Sequence, residues 1–90
     1  MMTLNVNIIN KLGLHARAAT KLVTTANRFQ ATIRIGRSLE HLVNCKSIMG
    51  IMMLAASQGT ALILTIEGVD AQEAAKSLLA LIQKRFGEDV

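Results

Sequence analysis

Ninety residues, 51% apolar and 18% charged, suffice for one hydrophobic core and are too apolar for a disordered chain. The longest apolar run, Ile48 to Ala56 counting Gly50, is too short to cross a bilayer, and a lone cysteine, Cys45, excludes an internal disulfide. A net charge of +4 and a pI near 9.9 favour an anionic partner: an acidic protein, a phosphate group or a nucleic acid.

The opening MMTLNVN lacks the basic and apolar blocks of a signal peptide. TLNVNII alternates, with Leu4, Val6 and Ile8 on one face, and reads as a half-buried strand. Residues 16 to 28 carry a helical period, with Ala19, Leu22, Val23 and Ala26 inward and Arg17, Lys21, Thr24 and Arg28 outward. ATIRI alternates again, and GRS turns the chain into a short strand around His41 to Asn44. Ser47 is placed to N-cap a short helix over 48–56, which SQGT ends, and ALILTIE is a strongly apolar strand.

Asp70 and Glu73 match a D-x-x-E capping box opening a last helix that runs to about Phe86. Its inward stripe is Ala74, Ala75, Leu78, Leu79, Ile82 and Phe86, with Gly87 as the residue that stops it. The order βαββαβα predicts a single α+β domain over 1–90. The expected architecture is an open-faced sandwich: a four-stranded antiparallel sheet with three helices on one face.

Chemistry concentrates in two places. No phosphate-binding G-x-x-x-x-G-K-[ST], no H-E-x-x-H and no C-x-x-C is present, and no carboxylate lies within ten residues of His15. Local sequence therefore supports neither a metal site nor a Ser-His-Asp arrangement. In NKLGLHARAATKL, however, Gly13 allows a tight turn and His15 stands where a helix begins. The unpaired amides and the positive end of that helix suit an anion, and the Arg17 guanidinium matches phosphate oxygens. A neutral imidazole there has a ring nitrogen free to attack phosphorus. The plainer alternative is a helix-tip histidine beside a solvated arginine.

GLHARAA followed by VNCKSIMGIMML resembles the histidine-containing phosphocarrier (HPr-like) family of the bacterial phosphotransferase system. The two motifs stand at the family's separation, in the family's element order, and the likeness covers essentially the whole chain. The resemblance implies a cytoplasmic, monomeric phosphoryl carrier rather than an enzyme with its own small-molecule substrate. It implies no cofactor or metal and no membrane insertion. His15 would be phosphorylated at Nδ1 by an Enzyme I phosphohistidine and would pass the group to an EIIA-type protein, with Arg17 steadying it.

Lys46, Ser47, Ile48, Met49 and Met52 would fall on the docking region. In some members a dedicated serine kinase modifies the position of Ser47. Two residues depart from the pattern: Ala18 replaces a proline, and Leu12 replaces a small polar residue of many sugar-transport members. NKLGLHAR is closer to the nitrogen-related branch or to single-carrier proteobacterial proteins.

The remaining marked residues have simpler readings. Ser47 is first an N-cap, Cys45 a buried filler and His41 a surface residue. Ile48, Met49, Met52 and Met53 read first as core, but nine apolar residues on a short helix cannot all face inward, so some are expected to form an exposed docking patch. The basic face that includes Lys21 suits docking to an acidic protein. A small nucleic-acid-binding module is the rival function, but no Trp or Tyr can stack on a base and no RNP-like segment occurs. A metabolite-binding regulatory domain is a third reading, and it leaves the pairing of His15 with a helix start unexplained.

Overall fold

The computed structural model describes all 90 residues. Its elements are β1 (Met2–Asn7), α1 (Ala16–Ala26), β2 (Thr32–Gly36), β3 (Leu42–Asn44), α2 (Ile48–Met53), β4 (Ala61–Glu67) and α3 (Ala71–Gln83), with a final 3₁₀ turn at Arg85–Gly87. The strands form one antiparallel sheet in the order β1-β4-β2-β3. The alternation in the sequence sets its faces. Val6 lies opposite Leu62 and Ile33 opposite Ile66 on the side buried under the helices. Asn5, Asn7, Thr32 and Arg34 point to solvent. The predicted open-faced sandwich, four antiparallel strands with three helices, is the architecture found.

The core between sheet and helices is aliphatic. Leu22, Ile33, Ile35, Ile51, Leu64, Ile66 and Leu78 are fully buried, and truncating one to alanine would cost about 2–5 kcal/mol. Cys45 is equally buried, and desolvation pushes its thiol up to about 12 despite the nearby charge of Lys46. It is an inert filler.

Three boundaries differ from the sequence expectation, each for a local reason. α1 stops at Ala26, two residues early, where Arg28 and Phe29 turn back to the carbonyls of Thr25 and Ala26. α2 stops at Met53 rather than residue 56, because Leu54 and Ala55 bond three residues back and Ala55 takes φ +49°. α3 ends at Gln83. Phe86 is buried as expected, but from a non-helical backbone at φ +55°.

The capping box is also corrected. Asp70 is the N-cap of α3 but makes no side-chain cap bond. Its Oδ2 accepts from the Gln30 amide (2.8 Å) and its Oδ1 from the Ala31 amide (2.9 Å). The carboxylate is used to tie α3 to the loop between α1 and β2, which sequence spacing could not reveal.

Candidate functional site

Residues 8 to 15 carry the chain from β1 to α1. The Ile8 amide donates to Thr60 O and the Gly59 amide to Ile8 O, anchoring the loop's start. Gly13 has φ +68°, and a Cβ there would lie 2.5 Å from Ala56 O, so the turn requires glycine. Next to it the Leu14 amide donates to Ala56 O at 2.8 Å, and the Leu14 side chain is buried. The loop is thus pinned beneath the α2–β4 connection.

These restraints deliver His15 as the N-cap of α1, in extended backbone, with its carbonyl accepting from the Ala19 amide. The imidazole makes no cap bond. The amides of Ala16, Arg17 and Ala18 donate to no carbonyl and form the positive end of the helix. Arg17, exposed and without a hydrogen bond or ion pair, stands two residues on.

A second wall comes from the other end of the chain. After α3, Arg85, Phe86 and Gly87 all take positive φ (57°, 55° and 81°), a costly run for two non-glycine residues. Burial of the Phe86 ring holds it, together with the Lys21 ammonium, which donates to Phe86 O at 2.6 Å. The Lys11 amide donates to Val90 O at 3.0 Å, so the terminal residues fold back over the loop.

This places the Glu88 carboxylate against His15. Oε2 meets His15 Nε2, while Oε1 accepts from Asn10 Nδ2 at 2.9 Å. Asn10 is fully buried, its Nδ2 also donates to Gly13 O at 2.8 Å, and its Oδ1 has no partner. The Glu88 carboxyl is held below its ordinary value, first by the hydrogen bond from Asn10, then by that from His15, with Lys21 adding attraction. With Nε2 engaged, Nδ1 is the unpartnered nitrogen of a ring whose side chain is 29% exposed.

The structure sets the expected His15 and Arg17 together at the start of α1 and adds Asn10 and Glu88, which the sequence did not single out. Glu88 is 73 positions away, and only the FGED stretch after α3, with its early glycine, hints that the chain turns back. His41 is exposed and meets Ser38 Oγ, far in chemistry from His15. No group of three His, Cys, Asp or Glu side chains converges as a metal site.

The expected docking residues divide by what holds them. Lys46 donates to Phe29 O at 2.7 Å and Lys21 to Phe86 O, so both ammonium groups already bind the fold. Ile48, Met49, Met52 and Met53 form an exposed apolar surface on α2, and Leu12 is also exposed. Ser47 caps α2, its Oγ accepting from the Gly50 amide at 3.2 Å. A half-restrained imidazole, open amides and a free guanidinium make an arrangement suited to receive one phosphoryl group.

Comparison with known proteins agrees. The family model described as PTS HPr component phosphorylation site matches residues 2–84. A Phosphocarrier protein HPr of Pseudomonas aeruginosa is 52% identical over 88 residues, 98% of each chain. A crystal structure of HPr-C-His from Thermoanaerobacter tengcongensis superposes with a TM-score of 0.93 at 46% identity, covering 100% of both chains. One of an HPr dimer from the same organism gives 0.76 at 46% identity, covering 98% of this chain and 100% of that one.

Proposed function

The chain belongs to the PTS HPr family, the phosphocarrier proteins of the phosphotransferase system, and from that premise we propose that His15 Nδ1 carries the phosphoryl group. The observation that carries this reading is the state of the ring: Nε2 is occupied by Glu88 and Nδ1 is free, at the open end of α1. Of the two histidines, His41 has no helix start and no free arginine beside it.

In the proposed step the lone pair of Nδ1 forms the new N–P bond as the donor's N–P bond breaks, and the leaving pair returns to the donor imidazole. The donor is an Enzyme I phosphohistidine, and the acceptor is a histidine of an EIIA-type protein. The amides of Ala16, Arg17 and Ala18, which have no carbonyl acceptor, and the guanidinium of Arg17 would bind the transferred oxygens. Partners would dock on the apolar surface of Ile48, Met49 and Met52, with the basic face of α1 steering an acidic protein. Phosphate on Ser47 would regulate that docking.

The protein would act in the cytoplasm as a monomer, and light scattering tests the second point against the dimer seen in a relative. No helix is long and apolar enough to cross a membrane. The nucleic-acid reading gains no support, since the chain has no Trp or Tyr for base stacking.

Incubation with Enzyme I and phosphoenolpyruvate tests the reading. An acid-labile, base-stable label is expected in the wild type and in His41→Ala, and none in His15→Ala. Label persisting in His15→Ala would overturn it.

A further inference from the structure

We propose that Glu88, aimed by the buried Asn10 amide, is a positioning residue that keeps the His15 proton on Nε2 and so presents Nδ1 as the nucleophile. The inference rests on the reading of His15 as the phosphoryl acceptor, but its central readout does not. An imidazole in solution exchanges its proton between two nitrogens, and only the form with Nε2–H has a lone pair on Nδ1. Here the choice is made by a chain of three groups. Gly13 O and Glu88 Oε1 take the two hydrogens of Asn10 Nδ2, so the Asn10 amide cannot reverse without setting its oxygen against a carbonyl. The other carboxylate oxygen, Oε2, then faces His15 Nε2 and can only accept.

The wider fold supports the same conclusion. Arg85 and Phe86, both at positive φ, are strained backbone that, with Gly87, turns the chain back toward His15. The Lys21 ammonium and the Lys11 amide hold the segment on either side of Glu88 through the carbonyls of Phe86 and Val90. During acceptance Nδ1 gains the phosphorus while Nε2 keeps its proton. The ring, substituted on both nitrogens, becomes cationic as the bond forms. A carboxylate at Nε2–H stabilises that charge more than it stabilises the neutral ring, which is the differential binding that accelerates a step.

The arrangement makes Glu88→Gln more damaging than Glu88→Ala. Asn10 Nδ2 still demands an acceptor, so in Glu88→Gln the oxygen of the new side-chain amide turns to Asn10 and its NH₂ group turns to His15. That group needs an acceptor at Nε2, which drives the proton onto Nδ1 and blocks the nucleophile. Alanine merely releases the ring.

The decisive measurement is the nitrogen-15 spectrum of the His15 ring in alkaline buffer, where histidine is neutral, for the full-length wild type, Glu88→Gln and Glu88→Ala. The wild type should show Nε2–H and Glu88→Gln a shift toward Nδ1–H. Phosphoryl acceptance from Enzyme I should fall by about 10–100-fold in Glu88→Gln, the scale of one charged hydrogen bond, and clearly less in Glu88→Ala, with both variants folded by thermal unfolding. A wild-type tautomer retained in Glu88→Gln, or a rate at least equal to that of Glu88→Ala, would overturn the inference while leaving His15 labelling intact. Loss of labelling specificity at His15 would instead remove the premise.

Discussion

Arg17 and Lys21 lie one turn apart on α1 with the same charge, yet only one is free. Lys21 is bonded to Phe86 O, whereas the Arg17 guanidinium has no partner in the fold. A charged group left unpaired beside the proposed phosphoryl acceptor is available to bind the incoming group at no cost to stability. Arg17→Ala should therefore leave the melting temperature within a degree or two and slow phosphoryl acceptance by about tenfold or more, the worth of a lost charged hydrogen bond. Rapid-quench transfer between purified Enzyme I and the variant measures it, and an unchanged rate would reduce Arg17 to a solvated charge. At this scale legibility depends on distance along the chain. His15, Arg17 and Gly13 can be read because their chemistry is local: a turn, a cap and a charge within five residues. Glu88 cannot, since its role follows from where α3 ends and how residues 85–87 turn. Asp70 departs from expectation because a D-x-x-E spacing says nothing of amides 39 and 40 positions away.

At the level of elements, periodicity together with cap and turn signals placed every helix and strand, and errors fell at the ends, where i→i+3 bonds and positive φ decide. The starts of α1 and α2, where the proposed site residues stand, behave differently under substitution. Ala18 is the third residue of α1 and its amide has no acceptor, so proline there sacrifices no hydrogen bond. Ala18→Pro should raise stability by about 0.4–1 kcal/mol through the unfolded chain, a rise of about 2–6 °C in melting temperature for a domain of this size. A fall of several degrees would show that the buried position cannot take the ring.

At α2 the cap itself is the lever. Aspartate caps as well as serine and adds negative charge at the positive helix end, so Ser47→Asp should unfold within a few degrees of the wild type. The same charge would stand at the edge of the exposed Ile48, Met49 and Met52. Covering it with a partner costs desolvation, and phosphorylation at His15 should slow markedly. Unchanged kinetics would place Ser47 outside the docking face.

Over the whole molecule, a lone cysteine leaves no internal disulfide to cross-link the chain, and beyond its core two carboxylates join distant segments. Asp70 ties α3 to residues 30 and 31, and Glu88 ties the C-terminal residues to Asn10 and His15. Amide donors at Gln30 and Ala31 hold the Asp70 carboxyl below its ordinary 3.8, with Lys46 assisting, and Glu88 lies below its ordinary 4.5. As pH falls, the unfolded chain therefore takes up these protons before the folded one does. Stability from both groups is complete above about pH 5 and is lost as pH drops through the lower folded-state values. The melting temperature should hold between pH 7 and about pH 5 with respect to these groups and fall steeply below about pH 4. Asp70→Asn combined with Glu88→Gln should start lower at pH 7, because both charge-assisted ties are weakened, and lose less on acidification. The two curves should converge near the acid end, where the wild-type carboxyls are protonated as well. Parallel curves, with the double variant falling as far as the wild type, would mean that acid unfolds the protein through other groups and that the two ties act only as neutral hydrogen bonds.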